Sequence, residues 1–180
     1  MTVPVKVWDM PVRLFHWGLA GCIAVCWVSA DELQSLHEFS GYAAAALVGV
    51  RLVLGTVGNR YARFAQFVRS PRQTAAYAIA VLRHRDHRYL GHNPLGAAMV
   101  LLLLLMVAAV AYTGWLQTTD AYWGVEWVEE VHETLADLLL VAIALHVAGV
   151  IHASFRHREN LALAMVTGRK RAPVSGDIDH

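Results

Sequence analysis

Four long stretches of this chain carry almost no charge, and they set its architecture. Leu14 to Ala30 holds one histidine, His16, and no Asp, Glu, Lys or Arg. Gly41 to Val57 holds only Arg51, and Leu95 to Leu116 holds no charged residue at all. Leu135 to Ala153 holds Asp137, His146 and His152. Each run approaches the ~20 residues that a helix rising about 1.5 Å per residue needs to cross hydrocarbon. The pattern predicts one all-α domain over residues 1–180, an integral membrane four-helix bundle with spans at about 14–30, 41–57, 95–116 and 131–153. The long connection 58–93 has structure of its own. Tyr61, Phe64, Phe67 and Val68 interleave with Arg60, Arg63 and Gln66 at helical spacing, which predicts a short amphipathic helix on the membrane surface. Ser70-Pro71 is an N-cap followed by proline at the first helical position, opening a helix to about Leu82. Asn93-Pro94 repeats that signal before the third span.

Composition agrees with this picture and charge gives it a direction. At 57% hydrophobic and 16% charged, the chain is too apolar for an ordinary soluble domain. Of fifteen Lys and Arg residues, Lys6 and Arg13 precede the first span, seven lie in 58–93 and five follow the fourth. The connections 31–36 and 117–130 contain none. Positive charge stays inside, so both termini, the loop 58–93 and the tail 154–180 are expected to be cytoplasmic, in a multi-pass protein of the cytoplasmic (inner) membrane. Val28-Ser29-Ala30 resembles a signal-peptide cleavage site, but His16, Trp17 and Trp27 are poor signal-peptide residues. Cys22 and Cys26 form neither CxxC nor CxxCH. Thioredoxin-like chemistry and covalently attached haem are therefore excluded, and two packing thiols remain. No nucleic-acid partner is expected; lipid is.

The candidate chemistry lies in the histidines. His84, His87, His157 and His180 fall in polar segments and read as solvated. His92 and His152 stand at inner helix ends, where interfacial capping or quinone and proton handling would suit them. His16 opens the first span at its inner end, His37 precedes the second at its outer end, and His132 lies at the outer start of the fourth. His146 follows His132 by fourteen residues, roughly 21 Å along a helix and turned by only about 40°. One helix face thus carries histidines at two depths. His37 matches His132 on the outer level, and His16 matches His146 on the inner level. Paired imidazoles from facing helices fill both axial positions of a haem iron and suit electron transfer. The expectation is two non-covalent haem b groups between the helices, with His16, His146, His37 and His132 as the iron ligands. Gly41, Ala44, Ala45, Ala142 and Gly149 would give a flat macrocycle clearance.

Hydrogen bonding between helices would explain one such histidine more simply than haem does. Two depth-matched pairs are harder to explain that way. A zinc site would gather its ligands at one level. Arg51 follows His37 by fourteen residues, on nearly the same face at the inner level, and a buried guanidinium there needs an anion. A haem propionate would serve, and Arg13 would suit a second; lipid phosphate is the simpler partner for either.

The ordered set VWDMPVRLFHW (7–17), GYAAAALVGVRLVLGTVG (41–58), RYARFAQFVRSPR (60–72), YLGHNPLGA (89–97), His132-Glu133, ALHVAGV (144–150) and HRENLALAMVTGRKR (157–171) resembles the bacterial cytochrome b561-like proteins. The resemblance lies in the branch that includes the b-type cytochrome subunit of nickel-iron hydrogenases. It implies a dihaem protein exchanging electrons between a partner and the quinone pool. It also implies ligand pairs on helices one and four and on two and four, the pairing derived above. The outer loops are shorter than those of subunits that clamp a hydrogenase. The short loops leave a hydrogenase partner unestablished, and a small soluble cytochrome or no partner are the alternatives. The expectation is an extracytoplasmic cytochrome c or hydrogenase component drawn to the acidic residues Glu126, Glu129 and Glu130 beside His132. A stand-alone superoxide:quinone oxidoreductase is the enzymatic alternative. A histidine-dependent proton or metal transporter is the alternative of a different class, separable by the colour of bound haem.

Overall fold

The computed structural model describes residues 4–179. Its elements in chain order are β1 (Val5–Lys6), α1 (Met10–Ser29), α2 (Gln34–Val57), α3 (Phe64–Phe67), α4 (Pro71–Leu82), α5 (Pro94–Gln117), α6 (Glu126–Arg156), α7 (Leu161–Thr167) and β2 (Arg169–Lys170). The fold is all-α apart from one two-stranded ribbon, and α1, α2, α5 and α6 are long and apolar enough to cross a membrane. Many of their large apolar side chains face outward: Val57 is 77% exposed, Leu105 68% and Phe155 82%. Apolar surface on that scale belongs in lipid.

Capping chemistry explains where the helices begin. Asp9 Oδ1 accepts from the Val12 amide at 3.1 Å, so α1 starts before its apolar run does. Ser70 and Gln73 form a reciprocal capping box at the start of α4, with Pro71 at the first position. Asn93 Oδ1 accepts from the Gly96 amide at 2.7 Å where α5 begins. Glu126 and Glu129 lie in the first turn of α6 and Arg156 in its last, each complementing the helix dipole. The helix expected over Tyr61 to Val68 shortens to α3. Arg63 and Val68 are both extended, and the extended Ser70 satisfies the restriction imposed by Pro71.

The chain divides into two compact units, and each long helix contributes residues to both. One comprises residues 14–52 and 102–144, and is a bundle of four helical segments. Within it α1 and α2 are joined by residues 30–33 alone, and Tyr42 of α2 shares a 3.2 Å hydrogen bond with Thr118 just after α5.

The other unit comprises the residues up to Arg13, 53–101 and those from 145 onward. Val7, Trp8, Val12, Ala62 and Ala164 form its apolar centre. Here β1 and β2 pair antiparallel, Val5 opposite Lys170 and Lys6 opposite Arg169. Gly168 makes the approach possible. Its φ is 79°, and a Cβ there would stand 2.5 Å from the Trp8 carbonyl oxygen. That same glycine's carbonyl accepts from the Val7 and Trp8 amides.

An ionic cluster then binds the tail. Arg88, 5% exposed, donates to both carboxylate oxygens of Glu159 at 3.1 and 2.6 Å, to Asp177 at 2.5 Å and to the Arg171 carbonyl at 3.1 Å. Lys170 Nζ donates to the Tyr89 carbonyl at 3.3 Å. Asp86 is shared by Arg156 at 3.0 Å and His157 at 3.1 Å. His157 is therefore held against a carboxylate through Nε2 rather than solvated, because the fold brings the α4–α5 connection to the end of α6. His84 and His87 are exposed, as expected, and His180 lies outside the described residues.

Candidate functional site

The four-segment unit brings His37 and His132 together. His37 sits in the first turn of α2 and His132 in the second turn of α6. Their ring centroids are 6.1 Å apart and the ring planes stand at 73°. Each ring is held from behind through Nδ1. His37 Nδ1 is 2.9 Å from the carbonyl oxygen of Cys26. Cys26 is among the last four residues of α1, whose carbonyls have no helical N–H to accept. The end of one helix therefore orients the first turn of the next.

His132 is held by α5. Its Nδ1 lies 3.1 Å from the Val110 carbonyl oxygen and 3.1 Å from Thr113 Oγ1. A carbonyl oxygen can only accept, so the Nδ1 of each histidine carries the proton and Nε2 carries the lone pair. Imidazoles that ligate metals are arranged this way, the far ring nitrogen donating to a carbonyl. Gly114 allows the contact with α5, since a Cβ there would stand 3.0 Å from His132 Cε1.

The remaining predicted residues are placed as follows. His16 belongs to the same unit and is half-buried, its ring edge-on to Trp17 at 5.0 Å. Arg51, also in this unit, is 2% exposed on α2. His146 and Arg13 belong to the other unit. His146 is half-buried on α6, and Arg13 donates to the Val166 carbonyl of α7. His92 lies between Trp8 and Phe67, with ring centroids 4.7 and 4.5 Å away, and His152 is exposed.

Of the small residues, Ala44 and Ala142 are buried packing residues. A Cβ on Gly41, one turn beyond His37, or on Gly149 would meet nothing within 4 Å. Among the described residues no three His, Cys, Asp or Glu side chains converge into a metal centre. The chemistry the site supports is that of two opposed imidazoles. Thr113, Gly114 and the Cys26 and Val110 carbonyls were not predicted. Only the Thr-Gly pair, polar and small inside an apolar span, left a mark in the sequence.

The chain is similar to known proteins along most of its length. A protein of Cupriavidus necator described as a probable Ni/Fe-hydrogenase B-type cytochrome subunit is 26% identical, over 90% of this chain and 85% of its own length. A Rhodobacter capsulatus protein of the same description is 25% identical, over 92% of this chain and 81% of its own. No solved structure matches significantly. The profile of the prokaryotic cytochrome b561 family matches residues 7–168, nearly the whole chain with all four long helices. This multi-pass membrane protein belongs to the prokaryotic cytochrome b561 family.

Proposed function

We propose that this b-type cytochrome holds two haem b groups and passes electrons between an extracytoplasmic redox protein and the quinone pool. The observation that carries the reading is the His37–His132 pair. An iron about 2 Å from each ring nitrogen, the ordinary metal–imidazole length, separates the two ring centroids by roughly 6 Å. The observed separation is 6.1 Å, and both rings already carry the tautomer that leaves Nε2 to ligate. For the inner pair, His16 and His146, support comes from helical register. His146 stands close to four turns beyond His132 on the continuous helix α6. Arg51 and Arg13 are the proposed propionate partners.

Bound haem b supplies reversible one-electron chemistry at iron. The chain supplies the rest. Its paired histidines would hold the iron, its helices would set the haem environment, and Arg51 would supply a positive charge inside the span. The distribution of Lys and Arg supports an inner-membrane protein with cytoplasmic termini. The names of the relatives support a hydrogenase component as the outer partner.

Haem counting tests this directly. Purified protein should contain two non-covalent haems per chain. His37→Leu and His132→Leu should remove or convert one of them, and His16→Leu and His146→Leu the other. One haem per chain, or a spectrum indifferent to these changes, would overturn the reading.

A further inference from the structure

We infer that α5, which supplies no iron ligand, determines the outer haem's axial ligand strength, with Thr113 sharing the Nδ1 proton of His132 and Gly114 admitting the ring. The inference rests on the haem reading above and adds to it two residues and a property, the redox potential.

Three observations carry it. Thr113 Oγ1 lies 3.1 Å from the Ala109 carbonyl and 3.0 Å from the Val110 carbonyl, both acceptors only. The hydroxyl proton is drawn to one of them, so an oxygen lone pair faces His132 Nδ1 at 3.1 Å. Thr113 is 8% exposed and inside a membrane span, where an unsatisfied polar group is costly. This hydroxyl is therefore held in a closed network instead of rotating freely. The Val110 carbonyl faces the same nitrogen at 3.1 Å, so one N–H is divided between two acceptors. His37, by contrast, has the Cys26 carbonyl opposite its Nδ1. Finally, a Cβ on Gly114 would meet His132 Cε1 at 3.0 Å and Nδ1 at 3.5 Å, so any larger residue would require the ring to give way.

The consequence follows from ligand chemistry. Accepting the Nδ1 proton raises imidazole basicity, which favours ferric over ferrous iron. Removing the Thr113 acceptor should raise the outer haem's potential. A net hydrogen bond is worth about 0.5–1.5 kcal/mol, a two- to tenfold shift of the redox equilibrium toward ferrous iron. At ~59 mV per tenfold for one electron, that is about 20–60 mV.

The test is a redox titration of purified, haem-loaded Thr113→Val and Thr113→Ser, with ferric low-spin resonance spectra beside it. Valine keeps the shape and loses the hydroxyl, whereas serine keeps the hydroxyl. The expected result is a raised outer potential in Thr113→Val, an unchanged inner one, and both near the parent values in Thr113→Ser. Loss of the outer haem in Thr113→Val but not in Thr113→Ser gives the same support. Gly114→Ala should alter the outer haem's ferric spectrum by displacing the ring. Two haems with potentials indifferent to Thr113→Val overturn this inference alone. A parent chain that binds no haem overturns the haem reading and this inference with it.

Discussion

Arg51 shows what a single residue reveals when it stands where the surroundings resist it. A full charge that is 2% exposed, on a helix of membrane length, is expensive to keep. Placed beside a haem it favours the reduced iron, so Arg51→Gln should lower one haem's potential. Two unit charges ~4 Å apart interact by about 4 kcal/mol at an effective dielectric constant near 20. A small fraction of that is measurable by redox titration, and two unchanged potentials would remove Arg51 from the haem environment. At this scale the sequence was informative about side chains and silent about what orients them. His37 and His132 were legible by depth, since both stand at the outer ends of charge-poor runs and so at one level. The Cys26 and Val110 carbonyls that fix their tautomers were not, since a backbone acceptor has no sequence signature. Arg13 was legible as a cation at the start of the first span, but not its bond to the Val166 carbonyl, which depends on α7 folding back.

At the scale of elements, local signals were read correctly where local chemistry decides. The capping box at Ser70 and the Asn93-Pro94 start both stand at the predicted positions. The ribbon of β1 and β2, two residues a strand, has no periodicity to read, and the sequence predicts only a cytoplasmic tail over 154–180. Its binding depends on charges distant in sequence. Burial alone would raise the Glu159 carboxyl, but the Arg88 hydrogen bond and the Lys170 charge bring it below the usual range. Asp177 is likewise lowered, its burial outweighed by the Val174 amide and by Arg88. Burial lowers His157 below its ordinary value, more than Asp86 raises it. In all three the unfolded chain binds protons more readily than the folded one. Their stabilisation is complete above the unfolded values and is lost as the pH falls, first below about 6.5 for His157, then below about 4.5 for Glu159 and about 3.8 for Asp177. Burial also depresses Lys170, to about 8, so its charge opposes folding at neutral pH and that cost fades as the pH rises from there toward its unfolded value. Acidification should therefore release residues 169–179 to protease well before the membrane helices unfold. Arg88→Met should produce the same sensitivity at pH 7, because removing one partner of a buried charge cluster costs about 3–5 kcal/mol. A tail that stays protected under both conditions would show that the cluster does not hold it.

At the scale of the whole molecule, charge is distributed by side. Asp31, Glu32, Asp120, Glu126, Glu129, Glu130 and Glu133 are exposed, and no Lys or Arg lies in 31–36 or 117–130. Positive-inside topology accounts for the missing basic residues but does not require so many acidic ones. In the proposed orientation, Glu126 to Glu133 surround the start of α6 next to His132, where they would draw a locally basic redox protein toward the outer haem. Electron exchange with that partner should slow steeply as salt rises, since exposed charges are screened over about 10 Å at 0.1 M. Neutralising Glu126, Glu129 and Glu130 together should slow it at low salt. A stopped-flow rate indifferent to both treatments would reduce the acidic face to topology. Span number and family were legible because lipid forces long apolar runs on the sequence. The division into two units was not, since every long helix runs through both and no composition change marks the boundary.

The clasp of the tail onto the early chain also sets a timetable for biogenesis. Arg88 waits for Glu159, 71 residues later, and for Asp177, 89 residues later; Tyr61 waits 118 residues for Asp179. At roughly 5–20 residues per second, translation leaves Arg88 without its acidic partners for several seconds. The membrane helices can insert as they emerge, but the Arg88 cluster cannot close until the chain through Asp177 is made. A ribosome that stalls or terminates early in α7 releases a protein whose spans are complete and whose cluster is open. Its exposed cations and unpaired ribbon would mark it for degradation by proteases on that side of the membrane. The segment from Glu159 to Asp179 is in this sense a seal placed late on a unit begun early.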